Sequence, residues 1–165
     1  MKKASNWIRG FLYRKPTYEA FRSYVKSVHM TPKALCNEVS KFVRYRADPF
    51  ERDQWQRAEE TWKRGCGDCE DLAVLLQQLL EKLGIGTVMT VAFSPRARSG
   101  HVYLVPSDRD NADWVISNGV WIRLAGKDPV SKVISTIGWK RPVHVMTLWP
   151  ETIESMLTKK GGVIA

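Results

Sequence analysis

The sequence predicts an α+β domain: N-terminal helices, the last of them carrying a cysteine at its start, packed on an antiparallel β-sheet. Three observations carry that expectation. Helical periodicity and helix punctuation fill the first half of the chain, up to Gly84. Beyond Gly86 the texture changes to short β-branched and aromatic runs. The chain has 165 residues and 44% hydrophobic content, enough for one substantial core and too short for two. A single domain is expected over residues 1–165, with a basic helical part at 1–47, a core at 48–150 and a C-terminal tail at 151–165.

Taken in order, Tyr18 to about His29 reads as a helix. Thr31-Pro32 then supplies an N-cap and a proline at the first helical position, predicting a second helix to about Arg46 with Leu35, Val39, Phe42 and Val43 inward. Asp48-Pro49-Phe50 breaks that pattern. The polar run from Glu51 to Arg64, with Trp55 and Trp62 seven apart, reads as a shorter helix or ordered loop. From Cys69 onward Leu72, Leu75, Leu76, Leu79, Leu80 and Leu83 keep the i, i+3, i+4 spacing of one buried helix face, with glycine as the stop near Leu83-Gly84. Strands are expected at Thr87 to Phe93, His101 to Val105, Asp113 to Asn118, Val120 to Leu124 and Val143 to Leu148, arranged as a meander. The end from Lys159 to Ala165, with two lysines and two glycines, is expected to be mobile.

The charge is uneven. Residues 1–47 hold 11 Lys/Arg and 2 Asp/Glu, whereas residues 48–165 hold 15 of each, so the net +9 resides in the first segment. Such a segment suits an acidic protein partner or nucleic acid, although aromatic residues at helical core spacing favour a solvated helical surface. No run approaches the roughly 18 apolar residues of a membrane span, and the broken apolar run behind Met1-Lys2-Lys3 does not make a signal peptide. Three cysteines without an export signal fit a reducing, cytoplasmic setting. Cys36 lies within a helical pattern and reads as packing.

The chemistry centres on Trp62-Lys63-Arg64-Gly65-Cys66-Gly67-Asp68-Cys69-Glu70-Asp71. A thiol at a helix start meets unpaired N–H groups and the positive dipole end, which can lower its pKa from about 8.5 to ~3.5–7.5. A cysteine nucleophile also needs a base and a group to orient it. If residues 101–105 and 114–118 pair symmetrically about the intervening turn, His101 lies opposite Asn118, Tyr103 opposite Ile116 and Val105 opposite Trp114. Directly opposite Cβ atoms sit about 4.5–5.5 Å apart, within reach of an amide–imidazole hydrogen bond. Cys69, His101 and Asn118 are thus the candidate catalytic residues. Asn118-Gly119 is equally a hairpin-turn signal, and Ser117, on the other face of this register, is the poorer orienting candidate. His29 and His144 read as structural.

Asp68, Glu70 and Asp71 surround the thiol with carboxylates, which would raise its pKa unless they are paired. Capping of the helix and complementing of its dipole is one resolution. Calcium, a hard cation that prefers such oxygens, is another.

Gly67-Asp68-Cys69-Glu70-Asp71, then Gly100-His101, then a short strand ending in Asn118, resemble the transglutaminase-like cysteine peptidases of bacteria, including the adhesin-releasing periplasmic proteases. The resemblance spans roughly residues 35–124, with Trp55 and Glu60 where such sequences carry an upstream Trp and Glu. It implies a transglutaminase-like, papain-like fold and a Cys-His-Asp or Cys-His-Asn triad acting through a thioester on a protein or peptide substrate. In that scheme Cys69 attacks, His101 deprotonates the thiol and later protonates the leaving amine, and Asn118 orients His101. The backbone N–H of Cys69 would serve the oxyanion, with Trp55 or Trp62 as a second donor. Adhesin-releasing relatives carrying the acidic motif are calcium dependent, which implies a metal role for Asp68, Glu70 and Asp71. No cofactor is otherwise required. Departures from the pattern are the absent export signal, Asn where Asp is commoner, and the extra Cys66.

Other readings compete. A transglutaminase-type acyl transferase would use the same triad. A non-catalytic binding protein would use the basic N-terminal segment or the loop before His101, where Arg96 and Arg98 are also candidates for substrate selection. Cys66 and Cys69 form a CxxC at a helix start, but the preceding Ala58 to Arg64 is helical and charged rather than the apolar strand a thioredoxin-like site needs. Zinc lacks a second ligand pair.

Overall fold

A computed structural model describes residues 14–48, 54–94, 99–108, 112–139 and 143–158. Thr17 caps the first helix, α1 (Tyr18–Val28), its hydroxyl accepting from Ala20 N at 3.2 Å; His29 closes it in the left-handed conformation at φ 49°. Thr31 caps α2 (Pro32–Val39) in the same way, with Pro32 opening the helix as its fixed φ favours. α2 stops well short of Arg46. Beyond Val39 the chain turns to bury Val43 and set Phe42 edge-on to Phe21, then continues as a short strand, β1 (Arg44–Tyr45).

β1 pairs in parallel with β2 (Cys66–Gly67), an interaction that sequence periodicity over two residues does not reveal. Between them runs α3 (Ala58–Arg64), which ends on Gly65 at φ 76°, and after β2 comes α4 (Cys69–Lys82). Leu72, Leu75, Leu76, Leu79 and Leu80 of α4 are all buried, as their spacing predicts.

The sheet comprises β3 (Thr87–Ser94), β4 (Ser99–Pro106), β5 (Trp114–Ser117), β6 (Val120–Arg123) and β7 (His144–Leu148). All five expected strands form, in the order β6-β5-β4-β3-β7 with every pairing antiparallel. It is not a simple meander, because the last strand returns to the outer edge of β3. The excursion holds α5 (Pro129–Thr136), capped by Asp128 accepting from Ser131 N at 2.9 Å. Asp128-Pro129 is an N-cap and N1 signal that the periodicity reading passes over. Nor is the C-terminal part all tail: α6 (Pro150–Thr158) follows β7 and buries Ile153. Residues 159–165, expected to be mobile, lie outside the described residues.

The two faces of the sheet bury different partners. Met89, Val91, Val102, Leu104, Ile116 and Leu148 join the leucine stripe of α4 and the inward residues of α1 and α2 in the larger core. Ala92, Tyr103, Val105, Val115 and Leu124 face the other way and are capped by Val133 of α5. The arrangement is an α+β papain-like fold. No helix among the described residues is long and apolar enough to cross a membrane.

Candidate active site

The nucleophile candidate is held by two local constraints. Asp68 precedes α4 in extended conformation, so Cys69 is the first helical residue and its N–H belongs to the unpaired set of the helix start. Gly67 permits this close entry: a Cβ built there would lie 2.5 Å from Asp71 Cβ, closer than real atoms approach. Cys69 is half-buried, and its sulfur meets the side of β4, where Val102 N donates to Sγ at 3.5 Å. Val102 directly follows His101, so the thiol abuts the peptide that carries the histidine.

His101 is buried, 6% exposed, across β3 from Ala92, with Tyr103 stacked parallel to it and Trp139 edge-on, each at 6.4 Å between ring centroids. Its Nε2 is hydrogen-bonded to Ser117 Oγ at 2.8 Å. Here the structure differs from the expected register. Tyr103 pairs with Ser117 and Leu104 with Ile116, one residue away from the symmetric pairing. A one-residue slip moves every side chain to the other face. Ser117 therefore shares the face of His101 and Tyr103, and it, rather than Asn118, bonds the imidazole. Asn118 and Gly119 adopt φ 51° and 76° and form the tight turn between β5 and β6. That turn rests on α4, where a Cβ on Gly119 would touch Leu72 Cδ1 at 3.5 Å; Asn118 Oδ1 is buried and has no hydrogen-bond partner among the described residues.

The electrostatics invert one expectation. The helix start favours a thiolate at Cys69, yet its pKa is pushed up, first by burial and then by the Glu70 and Asp68 carboxylates. Glu70 also accepts a hydrogen bond from the thiol, Sγ to Oε2 at 3.1 Å; only the Val102 N–H opposes these effects. Burial alone lowers His101 to about 4. At neutral pH Cys69 is a thiol and His101 an uncharged imidazole.

Asp71 is fully buried, and its two oxygens accept from Gln56 N at 2.8 Å and from Gln56 Nε2. Burial, then neighbouring Asp68, raises it to about 7 despite those donors. The acidic triplet is thus dispersed: Glu70 engages the thiol and Asp71 engages Gln56. Among the described residues no group of three His, Cys, Asp or Glu side chains is arranged to hold a metal ion.

Of the two tryptophans considered for the oxyanion, Trp62 has its indole N–H committed to Pro16 O at 2.9 Å, while its ring stacks on Phe21 at 4.4 Å. Trp55 is buried on the segment that carries Gln56, at the edge of a cavity lined also by Glu60 and Lys63. Arg96 and Arg98 lie outside the described residues. Cys66 is a half-buried free thiol on β2, and Cys36 is buried and pushed up to about 12 by burial, as inert packing requires. α3 directly before Cys66 is helical, unlike the strand of a thioredoxin-like site.

A helix-start cysteine is thus laid against the strand that carries His101. The chain belongs to the transglutaminase-like superfamily, which its residues 17–128 match. Among solved structures it is similar to Legionella pneumophila LapG. The EGTA-treated form aligns at a TM-score of 0.52 and 19% identity, covering 66% of this chain and 65% of that one. The calcium-bound form aligns at 0.51 and 20% identity, covering 70% and 72%. The chain thus spans about two thirds of the length of those structures, and at such identity the likeness concerns the fold. No curated protein matches the sequence.

Proposed function

We propose that the protein is a cysteine peptidase or amidohydrolase acting on protein amide bonds, with Cys69 as nucleophile and His101 as general base and acid. The observation that supports this reading is the contact of Cys69 Sγ with Val102 N, the residue that follows a histidine whose Nε2 is hydrogen-bonded to Ser117. Membership of the transglutaminase-like superfamily supports it. With Nε2 engaged, Nδ1 is the nitrogen left to take the thiol proton. The thiolate attacks the carbonyl, the N–H of Cys69 receives the developing oxyanion, and the proton passes to the leaving amine. Water then releases the acyl group from the thioester; an amine in its place would make the protein an acyl transferase.

The reading predicts that a cysteine-directed electrophile labels Cys69 much faster than Cys66 or Cys36, and that His101→Ala suppresses the labelling. Equal, slow labelling of all three thiols would favour a binding role for the fold. Mass spectrometry of lysate treated with the protein or with Cys69→Ala then distinguishes new termini from new isopeptide bonds. Redox chemistry has its own test: Cys66→Ser would abolish an oxidoreductase and leave a Cys69 peptidase intact.

Calcium is a second reading, supported by the nearness of Asp68 to Asp71, whose carboxyl it pushes up, and by the calcium-bound form of LapG. It requires Glu70 to leave the thiol, so no step of the reaction is routed through it. The basic segment 1–47 is proposed as a surface for an acidic partner. Salt-sensitive retention on heparin that is lost on charge reversal there would support this.

A further inference from the structure

We infer that Ser117 is the positioning residue of His101, so that this site runs on a neutral hydroxyl in place of a charged or amide partner. The inference deepens the reading of Cys69 and His101 above and rests on it. Ser117 is 3% exposed and ends β5, where the register places it diagonally across from His101 on the same sheet face. Its Oγ lies 2.8 Å from Nε2, and among the described residues this is the histidine's one hydrogen bond. Asn118, the alternative by chain position, is committed to the left-handed turn next door.

A serine hydroxyl both donates and accepts, whereas a carboxylate only accepts. Accepting from Nε2–H, Ser117 leaves Nδ1 unprotonated and ready to take the thiol proton. Once Nδ1 is protonated, the same hydroxyl still accepts from Nε2–H but supplies no negative charge to hold the imidazolium. Among the described residues, the groups packed around the ring do not supply one either. Tyr103 from β4, Ala92 from β3 and Trp139 after α5 are uncharged at neutral pH. On the α4 side the carboxylates of Glu70 and Asp68 act on the thiol, where they oppose its ionisation. A thiolate–imidazolium pair is therefore disfavoured at rest, and proton transfer is deferred until a carbonyl is in place to be attacked.

The test is the rate and pH profile of Cys69 alkylation by iodoacetamide in the full chain, with Cys36 and Cys66 read in the same spectra as internal controls. Ser117→Ala should slow Cys69 alkylation about 3- to 10-fold, the scale of one lost hydrogen bond. Ser117→Thr, which restores the hydroxyl, should recover the rate. Ser117→Asp should raise the rate at pH 7 above that of the original chain and move the acid limb toward neutrality, because a carboxylate at Nε2 favours the imidazolium. If the Asp variant does not fold, as read by its melting transition, the Ala and Thr pair decides. In folded Ser117→Ala, ¹⁵N signals of the imidazole should shift from the Nε2–H form toward a tautomer mixture. An unchanged rate and tautomer in Ser117→Ala overturns the inference if His101→Ala still slows alkylation. If His101→Ala has no effect either, the peptidase reading itself falls.

Discussion

At the scale of single residues, the site is dominated by burial. Asp71 illustrates the thermodynamic consequence. Its folded pKa, about 7, lies above the 3.8 of an ordinary aspartate, so the protonated form is favoured in the folded state. Stability from this group is present below about pH 4 and is lost as pH rises through 7. Asp71→Asn removes the titration, so its melting temperature should gain on that of the original chain as pH is raised from 4 to 8; parallel curves would show that Asp71 is not raised. Cys69 was legible as a helix-start thiol because capping and leucine periodicity are local. The partner of His101 was not legible, because no local signal between Pro106 and Trp114 fixes the β4–β5 register to within one residue. That one step exchanges Ser117 for Asn118.

At the scale of elements, α4 depends on what lies just before it. Gly67→Ala should destabilise the fold by about 1–3 kcal/mol, the range for overpacking, because its Cβ would overlap Asp71. Denaturant titration measures the loss, and it should be accompanied by altered Cys69 labelling. α3 acts through Trp62, which stacks on Phe21 and bonds Pro16, while Lys15 Nζ donates to Trp62 O and to Phe42 O and lies 5.2 Å from the indole centre. A cation at the carbonyl end of a helix complements its dipole. Trp62→Ala should cost about 3–5 kcal/mol and free the chain around Lys15 and Pro16, detectable as early proteolysis there. None of this clamp was visible in sequence, since its members are far apart in the chain.

At the scale of the whole molecule, the α+β character and all five strands followed from texture alone, because β-branched runs and an Asn-Gly turn are strong local signals. What texture missed was connectivity: the return of β7 to β3, and the helices α5 and α6, whose proline starts are brief signals beside conspicuous strands. Arg22 pairs with Glu19 and Lys41 with Glu38, each at 2.6 Å, and Lys15 is committed to α3, so part of the basic excess is used within the fold. The calcium reading is tested at this scale too. If calcium binds the folded chain, raising it to 100 times its dissociation constant should add about 2.7 kcal/mol of stability, reversed by EGTA. An unchanged melting temperature in calcium and in EGTA would remove the metal from the account.

The parallel pairing of Arg44–Tyr45 with Cys66–Gly67 gives the site a history as well as a place. Parallel strands cannot be joined by a tight hairpin, so this ladder closes only after the intervening chain has folded back. The start of α4 is therefore tied to a contact that spans the whole of α3. The Arg46 amide, bonded to Gly67 O at 2.8 Å, reports on that contact: its exchange with solvent deuterium measures how often the nucleophile's footing opens.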